Sequence, residues 1–315
     1  MRLEKSVAID VRGVTKTYDE LTAVNDVSFQ LQRGSTMGLI GPNGAGKTSL
    51  LRIISTLSLA DRGEVTVEGV SVRTSPRQVR QRLGFMPAEF GYPRGMTIFE
   101  YLEFFACLYE LTESERSSRI RDVCELTELR GRESVFVSGL STGNRQRLLL
   151  AKTLLHDPTV LILDEPASGL DPRARTELRA IIRTLAGLGK AILISSHILP
   201  DIEDVSDTIG IMEAGQLVLH GQLSSLRQSA GDLQQRVRLQ VAAGQQDAAV
   251  AVLRGLAAVL DCRLSDQELH VLVDAPDSSC VLAALLQAQI RVVFFAENTG
   301  DLEEIFMRST AGKVT

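Results

Sequence analysis

Along residues 7–18, and again along 23–32 where Val27, Phe29 and Leu31 fall on one side, polar and apolar positions alternate. That period of two predicts strands of a partly antiparallel sheet. Met37-Gly38-Leu39-Ile40 is instead an unbroken apolar run, the pattern of a strand covered on both faces. Leu50, Leu51, Ile53, Ile54 and Leu57 then recur at helical spacing and predict a helix over residues 47–57. Beyond the turn Asp61-Arg62-Gly63-Glu64, Val65-Thr66-Val67 reads as a strand, residues 78–83 as a helix and Gly84-Phe85-Met86 as a strand. From Thr97 to about Ser138 the pattern is helical, with Thr97/Glu100 and Thr112/Glu115 at capping-box spacing. A helix carrying Leu148, Leu149, Leu150, Leu154 and Leu155 stops at His156-Asp157-Pro158, and another runs from Pro172 to about Leu188. Val160-Leu161-Ile162-Leu163 and Ala191-Ile192-Leu193-Ile194 are further buried strands. The expected first domain, residues 1–221, is therefore α/β with a helical insert over about 97–157. After Gly221 the pattern reads β-α-β-β-α-β, a small ferredoxin-like α+β unit over 222–315, closed by an apolar helical pattern at residues 301–306.

Between the strand at Ile40 and the helix at Lys47 lies Gly41-Pro42-Asn43-Gly44-Ala45-Gly46-Lys47-Thr48, which fits G-x-x-x-x-G-K-[ST] in the strand, loop, helix context the motif requires. Glycines let backbone N–H groups turn inward around an anion, and the helix directs its positive end there. Lys47 adds charge at the terminal phosphates, and the Thr48 hydroxyl is suited to Mg²⁺. Leu161-Ile162-Leu163-Asp164-Glu165 ends an apolar run in two carboxylates: Asp164 is suited to hold the metal and Glu165 to act as general base. His197 follows a buried strand, where parallel α/β sheets carry their chemistry. Other segments read in two ways. Tyr18 is either a half-buried loop tyrosine or a stacking face for a purine. Ser141 and Gly143 either serve a helix N-cap or contact an anion. Asp171 before Pro172 is an N-cap whose structural role coexists with a functional one.

With 315 residues, about two domains are expected. A net charge of −5 argues against broad nucleic-acid binding. No run approaches about 18 uncharged apolar residues, and the first residues lack a secretory block, so a soluble protein that stays where it is made is expected. Cys107, Cys124, Cys262 and Cys280 lack metal or disulfide spacing and read as reduced, mostly buried thiols. Eight of the fourteen Phe and Tyr residues lie between Phe85 and Tyr109, either filling the insert's own core or forming a docking surface for another protein.

The order of these segments resembles one family, the ATP-binding subunits of ABC transporters. Gly41 to Thr48 resembles its Walker A, Leu140 to Asn144 its signature, Leu161 to Glu165 its Walker B, Ser168 to Asp171 its D-loop and His197 its switch histidine. The resemblance implies a P-loop ABC ATPase cassette, with a mixed sheet and helical insert, that binds ATP and Mg²⁺ through Thr48 and Asp164 and hydrolyses ATP with Lys47, Glu165 and His197. It also implies a second cassette, identical or related, paired head to tail, so that Ser141 and Gly143 of one contact the γ-phosphate held by Lys47 of the other. Gly41, Pro42, Asn43, Gly44, Ala45, Gly46, Ser49 and Asp171 join the nucleotide site by the same likeness, and Tyr18 falls at the adenine-stacking aromatic. The tail is similar to that of type-2 exporters, including drug-efflux members, whose permease is a separate membrane chain; the cassette then sits on the cytoplasmic face.

Two departures stand out. Thr142 and Asn144 replace a Gly and a Gln of the usual signature, and Ala88 stands where the family's Q-loop carries Gln, next to Glu89. Because a methyl group neither ligates Mg²⁺ nor orients water, hydrolysis is expected to persist with weaker metal affinity or coupling. The competing readings are a weakly hydrolysing, nucleotide-gated scaffold, favoured by Ala88, and a soluble non-transport ABC protein acting on DNA or ribosomes. The latter would bring long coiled coils, a second cassette or a basic excess, none of which the sequence carries.

Overall fold

The computed structural model describes residues 6–88, 91, 95–226, 235–265, 268–274 and 278–298. They divide into two compact units at Gly221/Gln222. In the first, β1 (Val7–Tyr18) and β2 (Leu21–Gln32) pair antiparallel and join β4 (Arg62–Val67) and β5 (Val70–Ser71) in a sheet of order β2-β1-β4-β5. A second sheet has the order β10-β9-β3-β8-β7-β6, built from β3 (Thr36–Ile40), β6 (Leu83–Met86), β7 (Val160–Asp164), β8 (Ala191–Ser196), β9 (Thr208–Glu213) and β10 (Gln216–Gln222). From β9 through β3, β8 and β7 to β6 every pairing is parallel. Every residue of β3, β7 and β8 is buried, which is why they read as unbroken apolar runs.

Helix α1 (Lys47–Ile54) touches β2 and β4 of one sheet and β7 of the other. Covered from both sides, it buries Leu50, Leu51, Ile53 and Ile54 completely, in one core with Ile9, Val24 and Leu31 of the first sheet and Leu39, Ile162 and Leu193 of the second. The predicted helix ran to Leu57, but it ends at Ile54 and leaves Leu57 59% exposed. The stop is a Schellman motif: Leu57 N–H donates to the Arg52 carbonyl (2.8 Å) and Thr56 N–H to that of Ile53 (3.1 Å), with Thr56 at φ +62°. That position is ordinarily glycine, so the sequence carries no stop signal there.

The insert follows the same rule. Helices α3 (Ile98–Leu108) and α4 (Glu113–Leu126), which come after α2 (Pro76–Arg82), both open on complete capping boxes, at Thr97/Glu100 and Thr112/Glu115. The helical pattern expected to reach Ser138 stops at Leu126, because Glu128 adopts φ +57° and Leu129 N–H turns back to the Cys124 carbonyl (2.7 Å). Leu83, expected in a helix, begins β6. Helix α5 (Thr142–Leu154) and α6 (Pro172–Gly187) begin and end close to expectation; the short α7 (Pro200–Glu203) was not foreseen. Tyr101 is buried and Tyr109 stacks on His156 with centroids 4.1 Å apart, whereas Phe99, Phe104 and Phe136 stay exposed. All four cysteines are free thiols, but only Cys124 and Cys262 are buried and Cys107 is exposed.

The second unit runs β11 (Gln235–Val241), a helix (Gln246–Arg254), β12 (Val259–Ser265), β13 (Glu268–Val273), a helix (Ser279–Gln287) and β14 (Val292–Asn298). Its strands are antiparallel in the order β12-β13-β11-β14. Val237, Leu239, Val271 and Val273 from the sheet pack with Leu253 and Leu285 from the helices. Residues 301–306, Glu89 and Phe90 lie outside the described residues.

A β-branched residue in the left-handed region is strained by roughly 1–2 kcal/mol. Thr56→Gly, despite its added chain entropy, is therefore expected to stabilise the first unit by about 0.5–1 kcal/mol. A lowered midpoint of denaturant unfolding for this variant would contradict that account of the helix end.

Candidate active site

Parallel strands that lie side by side end at one edge of their sheet, so the loops after β3, β8, β7 and β6 meet although they are far apart in sequence. The loop after β3 crosses two other backbones at close range. A Cβ on Gly41 would stand 2.3 Å from the Met212 carbonyl oxygen, and one on Gly46, at φ +97°, 2.1 Å from that of Ala23. Only glycine lets the loop close down here. Lys47, the first residue of α1, folds back over this loop and donates from Nζ to the carbonyls of Gly41 (2.7 Å) and Pro42 (3.2 Å). With 6% exposure its ammonium is stripped of most water. Burial pushes its pKa down, and the carboxylates of Glu165 and Asp164 oppose the shift.

Across the sheet, β7 ends in Asp164 and β8 in Ser195-Ser196, with Asp164 directly opposite Ser195. The Ser195 hydroxyl donates to Asp164 Oδ1 (2.6 Å) and accepts from the Glu165 backbone N–H (3.0 Å). Asp164, 1% exposed, thus has one oxygen fixed by the neighbouring strand. Glu165 leaves the strand at φ +50°, a conformation that costs energy for a non-glycine residue and that the surrounding bonds must hold. Its Oε1 lies 3.6 Å from Lys47 Nζ, and its Oε2 is 2.5 Å from His197 Nδ1. With the carboxylate ionised, the ring nitrogen is the donor. Glu165 therefore stands between an ammonium and an imidazole.

Lys47, Glu165 and His197 border a recess of about 520 Å³ that is also lined by Asn43, Gly44, Ala45, Gly46, Thr48, Ser49 and Ala88, whereas Gly41, Pro42, Asp164 and Ser195 stand behind its wall. One wall is apolar: Tyr18, 41% exposed, with Leu21 and Ala23 at the turn of the first hairpin. Lys16 Nζ lies 5.2 Å from the Tyr18 ring centroid. The arrangement can hold a polyphosphate at the backbone amides and the ammonium, stack a flat ring on Tyr18, and activate a nucleophile at Glu165.

Ser141, Gly143 and Asp171 are not brought to this recess. They line a second one of about 590 Å³, with Thr142, Asn144 and Arg147. There Ser141 caps α5 by accepting from Asn144 N–H (3.3 Å), and Asp171 caps α6 by accepting from Ala174 N–H (2.9 Å). Residues 168–171 run between the recesses, Ser168 bordering the first and Gly169, Leu170 and Asp171 the second. Sequence reasoning missed Ser195. The signal was present, since a serine at the end of a fully apolar strand must find a buried partner. Leu21 was missed as well, and as an exposed leucine at a hairpin turn it gave no signal.

Known proteins share the pattern. The ABC transporter family profile matches residues 24–168. Nod factor export ATP-binding protein I of Rhizobium meliloti (strain 1021) is 32% identical over 310 residues, covering 97% of this chain and 88% of the relative. Daunorubicin resistance ATP-binding protein DrrA3 of Streptomyces coeruleorubidus is 33% identical over 305 residues, 96% of each chain. A solved structure described as the ATP binding subunit of an ABC transporter superposes with a TM-score of 0.65 at 29% identity, covering 71% of this chain and 93% of that one. A phosphate loop, a paired-acid strand end and a histidine at neighbouring ends of one parallel sheet, together with relatives matched over nearly their whole length, carry one conclusion: the chain belongs to the ATP-binding subunits of the ABC transporter family, which are ATP hydrolases.

Proposed function

We propose that this chain is the ATP-hydrolysing subunit of an exporter, in which two cassettes close head to tail on ATP and pass the motion to a separate membrane permease. The observation that carries the reading is the separation of the two recesses. Lys47, Glu165 and His197 border one, while Ser141 and Gly143 border the other. A phosphate held at Lys47 is then reached by Ser141 and Gly143 only from a second cassette, identical or related, with Asp171 beside them. The names of the relatives, Nod factor export and daunorubicin resistance, support outward transport.

In this reading the amides of residues 43–46 and the positive end of α1 receive the phosphates of ATP, and the Lys47 ammonium meets the terminal ones. Tyr18 stacks on adenine. Glu165 accepts a hydrogen bond from the attacking water as general base, and His197, bonded to the same carboxylate, holds it in line. Thr48 and Asp164 would hold Mg²⁺. The donor set fits: Thr48 is exposed, and Asp164 has only one oxygen engaged by Ser195. Mg²⁺ takes one or two protein oxygens and completes its shell with water and phosphate, needing no cluster of carboxylates. When bound, it neutralises charge on the β- and γ-phosphates.

Phe104 and Leu108, one turn apart on α3, leave an exposed apolar strip on the insert, and Phe99 and Phe136 are exposed as well. This supports docking against a partner protein, here the permease, with the cassette on the cytoplasmic face of the membrane. Among the described residues no helix is long and apolar enough to cross a membrane. The domain assignment follows: residues 1–221 work as the cassette, and residues 222–315 serve regulation or dimer contact. Ala88, whose methyl borders the nucleotide recess, favours a second reading, a nucleotide-gated scaffold of low turnover.

Glu165→Gln is expected to bind ATP with parent affinity, to lose about 10²–10³-fold in phosphate release, and to accumulate as a closed dimer in size-exclusion chromatography. Parent turnover in that variant would remove Glu165 as the base. Ala88→Gln restores an amide at the recess and is expected to lower the Mg²⁺ concentration needed for half-maximal turnover. If both turnover and its Mg²⁺ dependence stay unchanged, the missing amide is not what tunes metal affinity. Steady-state phosphate release from the parent protein at saturating ATP and Mg²⁺ decides between transport ATPase and scaffold.

A further inference from the structure

Asp201 is a carboxylate that neither recess uses for phosphate, yet it is buried to 7% exposure directly beyond His197. It faces Arg175 in the first turn of α6, with Nη1 3.4 Å from Oδ1. The same guanidinium donates from Nε to the Leu170 carbonyl (3.0 Å), in the segment that runs between the two recesses. Neither contact is required to start α6, which Asp171 and Pro172 already cap. Arg175 therefore spans two functional segments with one rigid planar fork, a task that suits arginine and not lysine. Asp201 also borders a small pocket together with Glu165, Ser168 and His197. Burial drives its pKa up, while Arg175, Arg179 and His197 oppose the shift and Glu165 adds to it. A charge this enclosed is costly without its partner. A second arginine braces the same elements: Arg179 donates to the Pro200 carbonyl (3.3 Å) and to Asp204 (2.8 Å).

We propose that Arg175 and Asp201 are positioning residues for hydrolysis, a strut through which the segment 168–171 sets the placement of His197 against Glu165. The proposal rests on the assignment of Glu165 and His197 to the hydrolytic step. In it, a second cassette that engages residues 169–171 at the signature recess acts on Leu170, and the strut carries that displacement to the histidine.

The test is a mutant cycle on the full chain, read as phosphate release, ATP affinity and thermal midpoint. Asp201→Asn is expected to lower kcat about tenfold with ATP affinity within about twofold, because the strut acts after binding. Arg175→Lys keeps a cation for Asp201 but not the second bond to Leu170, and is expected to lower kcat about threefold to tenfold at an unchanged thermal midpoint. Asp201→Glu is expected to recover most of the turnover. In a His197→Ala background neither substitution lowers kcat by more than about twofold further, since groups acting through the histidine are not additive with it. Losses that multiply on top of an impaired His197→Ala chain, or that track a fall in thermal midpoint or ATP affinity, overturn the strut and leave the site assignment standing. Parent turnover in His197→Ala alone overturns the histidine's role, and the strut with it.

Discussion

Hydrogen bonds between β7 and β8 set Asp164 across from Ser195, and those between β3 and β8 set Ile40 across from Ser196. This register is what the site depends on. A strand's side chains alternate faces, so a slip of one residue would turn Ser195 away from Asp164 and carry His197 with it. The register is held by burial on both faces: Leu39, Ile162 and Leu193 are fully enclosed between helices and the first sheet, and any slip would exchange apolar contacts throughout that core. Stability and chemistry therefore share one cause. The apolar runs that drive the sheet together also fix where the polar strand ends finish.

Packing alone would not tolerate the charges that collect at that edge. A buried ammonium or carboxylate is expensive unless each polar atom has a partner. Lys47 meets the requirement with two backbone carbonyls and Glu165, and Glu165 with His197 and a backbone bond to Ser195, while Asp164 has one oxygen satisfied by the hydroxyl of the same serine. Ser195 is the hinge of this network, donating to one acid and accepting from the backbone of the next. A hydroxyl does both at once; alanine or cysteine there would leave an enclosed carboxylate oxygen without its strong donor. The left-handed turn of Glu165 belongs to the same balance, since the bonds around it hold a conformation that an isolated residue would leave.

How much of this the sequence discloses depends on whether a feature is local. Gly41 to Thr48, the apolar strands and both capping boxes are local patterns, and each appears where it was expected. The helix ends were misjudged for a local reason of the opposite kind: Thr56 and Glu128 take up the left-handed cap that glycine usually marks. The ends of α1 and α4 rest instead on bonds back to Arg52 and Cys124. Long-range relations were illegible by nature. Nothing near Asp201 announces Arg175, and nothing near Asp164 announces Ser195; each pair is made by the fold. The same holds for the recesses, because only the fold separates Ser141 and Gly143 from Lys47 while leaving residues 168–171 in contact with both.

That separation has an energetic sense. A single cassette that carried every phosphate ligand on one surface would bind nucleotide tightly and gain little from a partner. In the proposed head-to-tail pair, dividing the ligands would make association and nucleotide binding conditional on each other, with a coupling as large as the contacts the second cassette supplies. In that proposal the chain must report the partner's arrival to its own acid and histidine. Residues 168–171 are the only described backbone that borders both recesses, and they are anchored to α6 by Asp171 at one end and to the segment after His197 through Arg175 in the middle. A loop tied at those points does not drift freely when its outer face is pressed. It moves with the helix ends to which it is bonded, and the histidine lies beside one of them.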